Sequence, residues 1–359
     1  MPVKVQVLVV DDSALMRKLI CELLESDPNI EVVDTARDGY EAVEKVAKLH
    51  PDVVTMDVQM PRMSGLEALS HIMSQCPTPV IILTGLNNPQ LAIEALERGA
   101  VDFVLKPSGT ISMDIYKIRQ ELIQKVKLAP LVNIRKMVQR GITPPLPPLK
   151  TPFRIPGKRV VVIGASTGGP RALNHCLSSL PSHLPAAVLV VQHMPPGFTR
   201  SFAERLNRRS PLEVKEAEEG DVILPGRAYV APGDYHMVVE KRGNQEVIHL
   251  DKSPPVKGLR PSADVTMRSV AEVFGAGSIG VILTGMGSDG ADGLKAIKER
   301  GGITIAQDRS TSIIYGMPRA AVRSGCVDKV LPLGEIPKEI VRLLTYTRSG
   351  VKNRAGNKN

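Results

Sequence analysis

Hydrophobic positions along the chain fall into two series of short β-branched runs separated by helical periodicity. In the first, residues 5–10, 30–34, 52–57, 79–83 and 102–105 are apolar runs, and stretches such as "ALMRKLICELLES" and "YEAVEKVAKL" between them repeat at helical spacing. Five strands alternating with five helices predict a doubly wound α/β unit with a parallel sheet covered on both faces, over residues 1–125. A second alternation starts at Arg159, with strands expected near 159–163, 187–192, 279–283 and 302–305. It predicts another α/β parallel-sheet domain over 158–346. Its middle, 213–251, alternates differently and carries turn signals, so an antiparallel hairpin insertion at one sheet edge is expected there.

The segment between the two series, 126–157, is proline-rich and basic. Seven prolines in residues 126–158 suit a semi-rigid linker, with at most a helical turn or two at its start. Residues 347–359 are polar and basic and read as a disordered tail.

Charge sharpens this division. The chain of 359 residues has a formal net charge of +9, but residues 1–125 sum to −6 and residues 159–359 to +8. An acidic front and a basic back can attract each other, or the back can meet an acidic partner. Four cysteines without a CxxC or Cys/His pattern argue against both a disulfide framework and a zinc site. No run approaches the roughly 18 to 20 apolar residues of a membrane span, and the first residues lack a signal-peptide core. A cytoplasmic protein with no membrane insertion is expected.

In a doubly wound sheet, ligands sit beyond the carboxyl ends of the strands. There the front unit places Asp11 and Asp12, Asp57, Thr84 and Lys106. Three carboxylates in one pocket repel, and a hard dication such as Mg²⁺ is an economical way to keep them ionised. A lysine and a hydroxyl opposite suit an anion, which together makes the parts for phosphorylating an aspartate. Any one of these aspartates alone could simply cap a helix. "VVDDSALMRK", "DVVTMDVQMPRMSG" and "DFVLKP" closely resemble a response-regulator receiver domain. The resemblance implies that Asp57 is the phosphoacceptor and that Asp11, Asp12 and Asp57 hold Mg²⁺. It further implies that Thr84 and Lys106 contact the phosphoryl group, and it places Phe103 at the receiver's switch aromatic.

In the back unit, "VVIGASTGGPRAL" runs a strand through a glycine-rich turn into a helix. Gly164-Ala165-Ser166-Thr167-Gly168 fits G-x-S-x-G, the nucleophile-elbow spacing. It does not fit G-x-G-x-x-G, no acid ends the next strand to hold a ribose, and no GK[ST] follows, which argues against nucleotide binding. A serine that merely caps the next helix would look the same. A nucleophilic serine needs a base. Of seven histidines, only His193 directly follows an apolar strand and opens a loop on the same rim. Asp289, in "GVILTGMGSDGADG", could orient that base, in a loop rich enough in glycine to present backbone N–H groups to an oxyanion. Asp292 competes for the role, and either acid could cap the helix expected at 290–299.

"IGASTGGP", "QHMPPGFT" and "LTGMGSDGADG" resemble the catalytic domain of the chemotaxis protein-glutamate methylesterase (CheB) family, and with the receiver the match spans residues 3 to about 345. The resemblance implies Ser166 as nucleophile, His193 as general base and then acid, and Asp289 as its orienting partner. Thr167 and Met286 would line the site, with the Met286 N–H as oxyanion donor. It implies hydrolysis of glutamate methyl esters on chemoreceptors, with deamidation of receptor glutamines, and no cofactor for the hydrolysis. A chemotaxis histidine kinase would be the phosphodonor. By the family's logic and the opposed charges, the unphosphorylated receiver would dock over the Ser166 rim. The competing class is a response regulator whose basic output binds DNA. No helix-turn-helix or basic recognition helix supports it, so no nucleic-acid partner is expected.

Overall fold

The computed structural model describes residues 4–85, 88–106, 118–132, 134 and 158–345. The expected tail and the linker beyond residue 134 lie outside these.

The front unit runs β1 (Val5–Val10), α1 (Ala14–Glu25), β2 (Ile30–Ala36), α2 (Gly39–Leu49), β3 (Val53–Asp57), α3 (Gly65–Gln75), β4 (Val80–Thr84), α4 (Pro89–Arg98), β5 (Asp102–Leu105) and α5 (Arg119–Leu128). All strands are parallel, in the order β2-β1-β3-β4-β5. The order reverses between β1 and β3, and the crevice this opens beyond their carboxyl ends receives Asp11, Asp12 and Asp57. Side-chain caps start the first three helices of this unit. Ser13 Oγ accepts from Met16 N at the head of α1, and Ser64 with Glu67 forms a capping box on α3. The last helix runs three residues into the stretch read as linker, ending at Leu128.

The back unit runs β6 (Val160–Ala165), α6 (Gly169–Ser178), β7 (Ala187–Gln192), α7 (Phe198–Arg209), β8 (Glu213–Glu216), β9 (Arg227–Val230), β10 (His236–Arg242), β11 (Gln245–Asp251), α8 (Ala263–Phe274), β12 (Ser278–Ile282), α9 (Ala291–Glu299), β13 (Ile303–Gln307), α10 (Met317–Arg323), β14 (Lys329–Leu331) and α11 (Ile336–Thr345). Seven strands form one parallel sheet in the order β14-β13-β12-β6-β7-β9-β8. Every residue of β6, β7 and β12 is buried, which is why these strands read as unbroken apolar runs: helices cover both faces.

The middle segment differs in part from expectation. β10 and β11 form an antiparallel hairpin closed by Gly243-Asn244, a separate two-stranded sheet that packs on α8. Residues 213–230, however, supply β8 and β9, which extend the main sheet in parallel. Edge strands exposed on one face alternate polar and apolar whichever way they run, so the pattern could not report direction.

The two units touch. α4 lies against α6 and α7, and the Phe103 ring of β5 stacks on Phe198 of α7 with centroids 5.0 Å apart and planes 11° from parallel. A single apolar cluster passes from Leu8 and Leu96 of the front unit to Phe198 and Leu206 of the back one.

Candidate active site

Strand register brings the candidate serine and histidine together. Ala165 of β6 is paired with Gln192 of β7, so Ser166 and His193 leave the sheet side by side. The turn is then tied down from several directions. Ser166 N donates to Thr284 O at 3.1 Å, and His193 N donates to Ala165 O at 3.2 Å. The buried Gln192 amide donates to Ser166 O at 3.0 Å and His193 O at 3.2 Å. Thr284 Oγ1 donates to Thr167 O at 3.0 Å and accepts from Ile313 N and Ile314 N. Gly168 adopts φ +77°, which a side chain would strain. Gly285 packs so closely that a Cβ there would lie 2.8 Å from Ser166 Cβ and 2.3 Å from Met317 Sδ.

His193 Nε2 and Asp289 Oδ2 are 2.8 Å apart. That leaves Nδ1 as the ring nitrogen available to Ser166; among the described residues no direct hydrogen bond joins the two side chains. Such bonds are commonly long until substrate arrives. Asp289 is 1 % exposed and gripped by the N-terminus of α8. Ser262 Oγ donates to Oδ1 at 2.7 Å, Ala263 N to Oδ2 at 2.6 Å and Asp264 N to Oδ1 at 3.1 Å. Burial alone would raise its carboxyl; the bond and charge of His193, then Ser262 and Ala263, overcome this and hold it far below the usual carboxylate range. Asp292 is elsewhere: it pairs with Lys257 at 2.9 Å on the surface and touches neither partner. The geometry therefore separates the two competing acids.

Because Ser166 N is committed to Thr284 O, it is not available to an oxyanion. Thr167 N and Met286 N donate to no acceptor among the described residues; Thr167 follows Ser166 in the chain, and Met286 follows Gly285, which packs on Ser166. The arrangement can support acyl transfer: a hydroxyl, a base fixed by a buried carboxylate, and unspent amide donors.

In the front unit, carboxylate oxygens of Asp11, Asp12 and Asp57 lie within 4.8 Å of one another. Lys106 Nζ donates to Asp11 Oδ2 and Asp57 Oδ2, both at 2.6 Å. Burial raises the Asp57 carboxyl despite Lys106, and Asp11 adds to the rise. A crowded all-oxygen donor set whose ionisation is opposed by burial and like charge fits a hard dication. Thr84 is buried at the end of β4, and its carbonyl accepts from Lys106 N at 2.7 Å; among the described residues its hydroxyl bonds neither Asp57 nor the Lys106 side chain and reaches Gly85 O at 3.5 Å.

Sequence reasoning passed over Asp102, whose Oδ2 accepts from Thr167 Oγ1 across the units at 2.5 Å. Lys125 steadies that carboxylate at 3.3 Å and lies 5.6 Å over the Phe103 ring. Between the units, Val101, Asp102, Lys125, Thr167, Met286 and Ile314 line one narrow cleft, so β5 stands directly on the catalytic rim. Gln192, Ser262 and Thr284 were also passed over. Their one legible signal was a polar residue closing a wholly apolar strand or opening a helix.

Comparison with known proteins agrees with this architecture. The model of the CheB methylesterase family matches residues 161–340, and that of the response regulator receiver domain matches residues 7–114. The protein-glutamate methylesterase/protein-glutamine glutaminase of Pyrococcus abyssi is 52% identical over 351 residues, covering 97% of this chain and 95% of that protein. A protein of the same name from Syntrophomonas wolfei is 48% identical over 350 residues, covering 94% and 99%. The crystal structure of the Thermotoga maritima CheB methylesterase catalytic domain superposes with a TM-score of 0.52 at 45% identity, covering 52% of this chain and 99% of that one. This chain belongs to the CheB methylesterase family, in the form that carries a response regulator receiver domain ahead of the hydrolase.

Proposed function

We propose that the chain is a protein-glutamate methylesterase and protein-glutamine glutaminase, acting on cytoplasmic regions of chemoreceptors under control of receiver phosphorylation. The observation that carries the reading is the 2.8 Å His193–Asp289 contact beside Ser166, with Asp289 held ionised first by His193 and then by Ser262 and Ala263 at the α8 N-terminus. Ser166 Oγ attacks the ester carbonyl as its proton passes to His193 Nδ1. Asp289 fixes the ring and steadies its charge. The N–H groups of Met286 and Thr167 receive the carbonyl oxygen as it turns anionic, and Thr167 Oγ1 lines the same wall. His193 gives the proton to the leaving methoxide oxygen, releasing methanol, or to the leaving nitrogen of a glutamine, releasing ammonia. A water activated by the same ring then frees the glutamate. No cofactor enters these steps.

In the receiver, Asp57 accepts the phosphoryl group from a histidine kinase, and Asp11, Asp12 and Asp57 would hold Mg²⁺, which would supply positive charge against the carboxylates and the incoming phosphoryl oxygens. Lys106 takes the remaining side of the anion, and Thr84 offers its hydroxyl once that anion is present. The unphosphorylated receiver sits over the rim through Asp102, Phe103 and Glu97, which supports occlusion as the mode of control.

Ser166→Ala is expected to remove methanol release from a methyl-esterified receptor fragment by at least about 10³-fold with the fold intact by circular dichroism. Retained turnover would exclude the triad. Phosphodonor should raise turnover of the wild type, and Asp57→Asn should abolish that response.

A further inference from the structure

The receiver's contact with the hydrolase has a chemical character of its own. α4 lies against α6 and α7 and carries Glu94, which pairs with its own Arg98, and Glu97, which is met by two arginines of α7. Arg205 binds both Glu97 oxygens through Nε and Nη2, and Arg209 reaches them at 2.9 and 3.0 Å. Arg208 stands next to them, exposed, with no contact to the receiver among the described residues. Burial, then the charge of Arg209, lower the Arg205 guanidinium; Glu94 opposes them and Arg208 adds to the lowering, so the three arginines repel one another. Basic residues in a last helical turn also suit the helix dipole. The dipole does not require two of these cations to meet one glutamate of another domain. At the other end of the same face, Asp102 lays a second carboxylate on Thr167, next to Ser166.

The geometry points to the Arg205, Arg208 and Arg209 face of α7 as a docking surface for an acidic protein helix that carries the esterified glutamate, with α4 of the receiver acting as its stand-in. This rests on the methylesterase reading and adds how substrate is held. The spacing is suitable. α7 begins five residues after His193, and Arg205 lies about 10 Å along its axis at ~1.5 Å per residue. On a substrate helix, an acidic side chain seven residues from the reacting glutamate is also about 10 Å away on the same face. A glutamate-rich helix lying along α7 could thus set one acidic residue on the arginines and another near the start of α7, five residues after His193. Receiver and substrate would then compete for the same cations, so that closure blocks binding as well as chemistry.

The test uses the full chain activated by a phosphodonor, with two substrates: a methyl-esterified chemoreceptor cytoplasmic fragment, and p-nitrophenyl acetate, which has no acidic flank. For the wild type, KM for the fragment is expected to rise severalfold between 0.05 and 0.5 M NaCl, as screening shortens to roughly 4 Å, while the neutral ester is insensitive. Arg208→Glu, outside the interdomain contact, is expected to lower the ratio of kcat/KM for the fragment over that for the neutral ester at least tenfold, through KM. Arg208→Lys should restore most of it. A salt-insensitive KM, or an unchanged ratio in both Arg208→Glu and the Arg205→Glu/Arg209→Glu double variant, would overturn the docking surface. Failure of the methylesterase reading looks different: Ser166→Ala would then still turn over both substrates.

Discussion

At the scale of single residues, the candidate site is a hydroxyl and an imidazole on neighbouring strand ends, held in place by buried groups behind them. Ser166, His193 and Asp289 were legible because each follows an apolar strand, the place where parallel sheets present chemistry. The choice between Asp289 and Asp292 was not legible, since both lie in one glycine-rich loop. Only the fold shows that α8 delivers Ser262 and two backbone amides to the first and leaves the second with Lys257. Thr284 and Gln192 escaped notice for a similar reason: their partners are carbonyls and amides distant in sequence. Gly285 offers a clean test of how finely the serine is placed. Gly285→Ala puts a methyl group into Ser166 Cβ and Met317 Sδ. It is expected to cost about 1–3 kcal/mol of stability by overpacking and roughly 10²-fold in kcat by displacing the hydroxyl. Unfolding melts and kcat measured together would check it; full activity would mean the turn can yield.

At the scale of elements, periodicity located strands and helices but not the direction of edge strands. β8 and β9 join the parallel sheet although their alternation resembles that of the true hairpin beside them. The opposite edge shows what anchors such a strand. Glu339 of α11 bonds Lys329 of β14 at 2.8 Å and Arg342 at 2.6 Å, and its side chain is 13 % exposed. Arg342, despite the cost of burial, and then Lys329 pull the Glu339 carboxyl down to about 2 from 4.5. A depressed carboxyl contributes stability that is fully present above pH 4.5 and is lost as pH falls through about 2. The stability difference between wild type and Glu339→Gln should therefore be constant above about pH 5 and shrink steadily below it, as urea titrations at several pH values would record. A difference independent of pH would show that Glu339 acts only by packing.

At the scale of the whole molecule, the opposed charges of the two halves, −6 against +8, were readable, while the anatomy of their contact was not. Long-range charge allows the halves to attract, or the back half to meet an acidic partner. It does not say that Glu97 finds Arg205 and Arg209, or that Asp102 reaches Thr167, because those pairings depend on how two independent sheets present their edges. The aromatic contact was equally hidden: Phe103 was readable as a core or switch residue, and its partner Phe198 opens a helix nearly a hundred residues away.

That stacked pair gives the closed state a thermal signature. Separating Phe103 from Phe198 wets apolar surface, so opening carries a positive heat-capacity change, and the free energy of closure curves with temperature instead of following a straight van't Hoff line. The leak, taken as neutral-ester activity of the unphosphorylated chain relative to the activated one, should pass through a minimum and rise again on cooling. Phe103→Ala should flatten the curve. A linear plot for the wild type would place the hold on the rim in its charges alone. With curvature, the resting silence of the enzyme has an optimum temperature, set by two rings that take no part in the reaction they restrain.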